Sequence, residues 1–143
     1  MADLSEPAAA VRPDAPVGLL WSWGPVVALM AAIFQVSSFE DLGSLPGDVS
    51  DKTGHFSAYA VLGALALRAT ARGRWAGVTA RAAVVAWGVC LAYGASDELH
   101  QRLLPGRTMA FDDWIADAAG SATAIVLLGL VAVVRRRHRS RTL

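Results

Sequence analysis

At 143 residues the chain fits a single domain, and 55% hydrophobic against 17% charged residues leaves too little polar surface for a soluble domain of this size. A formal net charge of +1 gives no basis for a nucleic-acid partner. The single cysteine, Cys90, excludes an intrachain disulfide and reads as a small core residue.

Residues 1–16 carry alanine, proline and scattered charge without an apolar period, and are expected to form a disordered cytoplasmic leader. From Val17 to Val36 no charged residue occurs. At about 1.5 Å per residue this run covers the roughly 30 Å of bilayer hydrocarbon, so it is the first expected span. Trp21 and Trp23 suit an interfacial belt near its start, and Gly24-Pro25 predicts a bend. The run is longer than a signal peptide's apolar region and no small-residue cleavage site follows it, so it is expected to remain as an anchor. Ser37 to Ser50 is an acidic, glycine- and proline-bearing connector.

The second span runs from Asp51 to Thr70, with Lys52 and His55 in its first turns and Arg68 placed to snorkel at its far end. A basic connector of Arg68, Arg72, Arg74 and Arg81 follows. The third span begins near Ala82, or nearer Trp75, and is expected to stay helical through Leu104, where Pro105-Gly106 stops it. The fourth runs from Trp114 to Val134, ahead of a basic tail over residues 135–143. Arginine gathers in the second loop and the tail, whereas loops one and three hold only Lys52, Arg102 and Arg107 among many acids. Four spans then put both termini and the second loop in the cytoplasm. The expected fold is an all-α, polytopic membrane protein, a bundle of four transmembrane helices at residues 17–134.

On that topology three polar stretches share the outer boundary. Asp51 and His55 open helix two, Asp97, Glu98 and Gln101 close helix three, and Asp113 and Asp117 open helix four. The pairs 51/55, 97/101 and 113/117 are each i,i+4, so each helix offers one polar stripe. Asp51, Asp97, Glu98, Asp112, Asp113 and Asp117 face only Lys52, Arg102 and Arg107 as permanent cations; an acid excess of this kind draws cations, holds protons or stays wet. His100 is one residue off the stripe and is expected to face solvent, and Trp87 and Tyr93 are read as packing residues.

Three stretches, DKTGHFSAYAVLG (51–63), SDELHQRLLPGR (96–107) and DDWIADAAG (112–120), together give the chain a specific resemblance to the VanZ-like family of small bacterial membrane proteins. The family's polar positions fall on Asp51, Lys52, His55, Asp97, Glu98, Gln101, Arg107 and Asp113, with Gly120 allowing close helix approach. Asp117 departs from the family pattern, which commonly has asparagine there. The resemblance implies a multi-helix membrane protein, and for the family's namesake an association with resistance to teicoplanin-type glycopeptide antibiotics; it supplies no reaction.

The leading functional expectation is an outward-facing pocket of Asp51, Lys52, His55, Asp97, Glu98, Gln101, Arg107, Asp113 and Asp117 that binds an envelope lipid or lipid-linked headgroup. One alternative is a membrane-embedded hydrolase or transferase using His55 and Glu98. Another is a structural or partner-binding module. No HExxH or paired-cysteine spacing is present, so no metal centre is assigned, although His55 with Glu98, Asp113 or Asp117 is a donor set open to Mg²⁺, Mn²⁺ or Zn²⁺. Cofactors stay unassigned. The inner halves of the spans carry almost no polar residues, which argues against a transport route.

Overall fold

The computed structural model describes residues 18–38, 51–104 and 110–141. The leader, most of the acidic connector and the loop carrying Arg107 lie outside them, as does the side chain of Asp51. The helices are α1 (Leu19–Ser37), α2 (Asp51–Thr70), α3 (Ala80–Gln101) and α4 (Phe111–Arg139), with one 3-10 turn at Trp75–Gly77 and no strand among the described residues. The all-α expectation therefore holds. Among the described residues, only α1 and α4 are long and apolar enough to cross a membrane by themselves; the polar residues at the ends of α2 and α3 dilute their apolar stretches.

Helix limits differ from the sequence reading at the end of α3 and at both ends of α4, which starts at Phe111 rather than Trp114. The third helix ends at Gln101, after which Leu103 and Leu104 donate to the carbonyls of His100 and Gln101. A residue before proline is disfavoured in the α region, so the chain tightens and leaves the helix ahead of Pro105. The fourth helix runs past Val134 to Arg139, because arginine is a good helix former and cations suit a helix C-terminus.

The packing is inside-out compared with a water-soluble bundle. The interior is built largely of small residues: Ala66, Ala69, Ala82, Ala86, Cys90, Ser121 and Ala132 are buried around Tyr59, Leu62 and Leu67. Large apolar side chains point outward, including Leu20, Trp21 and Val27 on α1 and Val126, Leu127 and Leu130 on α4. Small residues inside let helix backbones approach, and an apolar exterior is what lipid requires. At the centre stands α2, which packs against α1, α3 and α4. A Cβ on Gly120 would lie 2.1 Å from the Phe56 carbonyl oxygen, and one on Gly63 2.7 Å from that of Ser121, so α2 and α4 meet backbone to backbone.

The basic segments share one end of this bundle. The chain leaves α2 through a Schellman turn in which Gly73 N–H bonds the Arg68 carbonyl and Arg72 N–H that of Ala69, with Arg72 at φ 54°. Thr79 caps α3 by accepting from Ala82 N–H. From α4, Arg135 stacks over the Trp75 ring at 4.6 Å and Arg136 donates to the Val78 carbonyl at 2.8 Å, so the first arginines after Val134 clip the α2–α3 connector.

Arg68 has a more specific partner than the interface. Pro25 lies inside α1 and has no N–H for the carbonyl four residues earlier, that of Trp21. The Arg68 guanidinium donates to that oxygen at 3.0 Å. Arg68→Ala is expected to cost about 1–2 kcal/mol, and less in a Pro25→Ala background, where the restored N–H satisfies Trp21. Thermal melts of the two singles and the double measure this coupling; equal losses in both backgrounds would refute it.

Candidate functional site

Opposite the arginines, six of the eight polar residues buried among the described residues gather at the other end: Ser37, Asp97, Glu98, Gln101, Asp113 and Asp117. They arrive there because α2 and α4 begin, and α1 and α3 finish, at this end. At its centre His55 Nδ1 and Asp117 Oδ1 are 3.0 Å apart, with side-chain exposures of 14% and 2%. Glu98 completes a trio in which one donor atom each from His55, Glu98 and Asp117 lies within 4.8 Å of the others. The three expected stretches therefore do meet, each contributing one residue.

Local structure fixes these side chains. Glu98 Oε2 accepts the backbone N–H of Ala110 at 2.9 Å, the residue that precedes α4 and has no side-chain cap of its own. One carboxylate thus ties the end of α3 to the start of α4. Asp117 packs close to Gly94, where an added Cβ would lie 3.1 Å from Asp117 Oδ2 and 3.2 Å from the Trp114 ring. Trp114 itself donates to the Leu91 carbonyl and Trp87 to that of Ala118, two indole N–H bonds that lock α3 against α4, as the packing reading of Trp87 requires.

What distinguishes the trio is unused hydrogen-bonding capacity. Glu98 Oε1, Asp117 Oδ2 and the Tyr59 hydroxyl are buried with no hydrogen-bond partner among the described residues. Tyr59 is fully buried and one helical turn beyond His55, on the same face of α2. An unsatisfied buried polar atom costs about 1–3 kcal/mol, so three in one place are a standing cost to the fold.

The remaining expected residues separate into two groups. Asp97 turns toward α1: Ser37 Oγ donates to its Oδ1 at 2.7 Å and Gln101 Nε2 to its Oδ2 at 3.3 Å. The i,i+4 stripe of Asp97 and Gln101 is real, but its partner is the end of α1 rather than a cation. His100, expected in solvent, instead stacks on Phe34 with ring centroids 4.3 Å apart and meets Ser38 Oγ at 3.1 Å; the end of α1 covers that face of α3. Tyr93 adds a hydroxyl bond to the Met30 carbonyl, a packing role as expected. At the rim, Lys52 and Asp112 pair at 2.8 Å with both side chains well exposed. Asp113 is nine-tenths buried beneath them. Arg107 and the Asp51 side chain fall outside the described residues.

Ser37, Ala110 and Tyr59 were not expected in this region. Tyr59 had a signal in its i,i+4 spacing from His55; Ser37 and the Ala110 backbone had none, since both depend on which helix ends touch. Cavity size does not mark the cluster either. A cavity of about 620 Å³ lies at the arginine end, between Ser22, Trp23, Arg72 and Arg81, whereas the trio is distinguished by its chemistry.

A family model described as VanZ/LLP1 matches residues 17–132, a stretch containing α1, α2, α3 and most of α4. No curated protein and no solved structure matches the chain.

Proposed function

Because the chain belongs to the VanZ/LLP1 family, we propose that it is a multi-pass protein of the bacterial cytoplasmic membrane that receives the polar headgroup of an envelope lipid or lipid-linked precursor at the α2–α3–α4 end. In this reading residues 17–134 form a four-span domain, and the arginine end, with both termini, faces the cytoplasm. The polar end faces outward. The apolar exterior, the two helices able to span and the segregation of arginine to one end support the topology. Helices α2 and α3 complete the four spans by lying against them, where their polar ends are shielded from lipid.

One observation carries the binding reading: the unpartnered acceptors Glu98 Oε1 and Asp117 Oδ2 beside a partly exposed His55. A structural pin satisfies its polar groups, whereas a receptor keeps some for its ligand. An acceptor-rich lining repels a bare phosphate and welcomes donors, so the headgroup contacts are hydroxyl or amine groups, with Lys52 and Asp112 at the entrance. The test is mass spectrometry of lipids retained by the protein extracted from its envelope. The wild type should retain a polar lipid that Glu98→Gln and Asp117→Asn lose; identical lipid profiles in all three would refute the proposal. Resistance to teicoplanin-type antibiotics is a phenotype to score in the same strains.

A second reading rests on the His55–Asp117 pair. A carboxylate that fixes an imidazole is the arrangement of a general base, and a hydrolase or transferase could use it with Glu98.

A further inference from the structure

We propose that His55, Glu98 and Asp117 form a divalent-metal site, taking an ion of the Zn²⁺ or Mn²⁺ class. Two ligands bound to one such ion at about 2.0–2.2 Å stand about 3–3.5 Å apart, and the His55–Asp117 separation is 3.0 Å. The third donor lies within 4.8 Å of both, so a small side-chain adjustment closes the set. One imidazole nitrogen with two carboxylate oxygens suits Zn²⁺ or Mn²⁺ better than the all-oxygen preference of Mg²⁺ or Ca²⁺.

Unused lone pairs carry the argument beyond a cluster of acids. Glu98 and Asp117 are 2% and 1% exposed, and each keeps one buried oxygen without a hydrogen-bond partner among the described residues. The other Glu98 oxygen accepts from Ala110 N–H, a backbone bond that orients this carboxylate toward the site, while the other Asp117 oxygen already stands beside His55 Nδ1, the spacing two ligands of one ion require. The Tyr59 hydroxyl, also without a partner, is available to a metal-bound water. Nearby Asp97 and Asp113 add negative charge, and the exposed Lys52 is already paired with Asp112. This inference goes beyond the headgroup reading and stands on the geometry of the trio alone.

The test uses the full chain in detergent, stripped with chelator and titrated with Zn²⁺ or Mn²⁺ alone. Calorimetry and elemental analysis should give one ion per chain. Binding should weaken about 100-fold or more in Glu98→Gln and in Asp117→Asn, while Gly129→Ala, at a position with nothing within 4 Å, binds as the wild type does. Circular dichroism and elution profile establish that each variant is folded. Failure of the folded wild type to bind either ion saturably would overturn the site, as would undiminished binding in both Glu98→Gln and Asp117→Asn. Metal bound without any retained lipid would leave this site standing and the headgroup reading refuted.

Discussion

Replacing Gly120 by valine should abolish the folded bundle. The Cβ at this position would lie 2.1 Å from the Phe56 carbonyl oxygen and 2.9 Å from its carbonyl carbon, contacts that only a backbone shift can relieve. Overpacking a filled interior typically costs about 1–3 kcal/mol, and here two helices must separate rather than one side chain rotate. Even Gly120→Ala should lower the thermal midpoint sharply. The same change at Gly129, where nothing lies within 4 Å, should leave it unchanged. Separating α2 from α4 also pulls His55 away from Asp117, so stability and binding should be lost together at Gly120. Size-exclusion profiles and thermal melts in one detergent check this; a Gly120→Val protein as stable as the wild type would mean that α2 and α4 do not pack as described.

His55→Leu should destabilise by about 1–3 kcal/mol, the cost of leaving a buried hydrogen-bonding group unsatisfied. It takes away the hydrogen bond on Asp117 Oδ1 and leaves that buried carboxylate with Oδ2 already unpartnered. The double variant His55→Leu/Asp117→Leu should recover most of the loss, because replacing a whole buried pair with apolar residues is often neutral or stabilising. A thermodynamic cycle over the wild type, both singles and the double measures the coupling. Additive losses would show that the two side chains do not depend on one another.

Much of this was legible in the sequence because helical geometry is regular. Polar stripes at i,i+4 on three segments, together with the arginine asymmetry, were enough to bring His55, Glu98 and Asp117 to one end. The sequence could not show how neighbouring residues diverge. Asp97 and Glu98 are adjacent in the chain, but successive residues on a helix are about 100° apart. One therefore reaches Ser37 on α1 and the other Ala110 at the start of α4. His100 looked solvent-facing by its own helix's period, yet the end of α1 covers that side with Phe34. Arg68 was readable as a snorkelling cation; its bond to Trp21 required knowing that Pro25 leaves that carbonyl free and that α1 and α2 run antiparallel. In each miss the deciding fact was a neighbour supplied by tertiary packing.

On the proposed function, Glu98 and Asp117 are kept for an occupant and not for the fold. The direct measurement is the thermal midpoint of Glu98→Gln and Asp117→Asn beside the wild type, all stripped of metal and lipid in one detergent. Each amide keeps an oxygen for the existing hydrogen bond, to Ala110 N–H or to His55, and removes a buried charge with an unpartnered oxygen. Midpoints equal to or above that of the wild type are expected, as where function is retained at the expense of stability. A fall of several degrees in both variants would contradict it and make the cluster a structural pin.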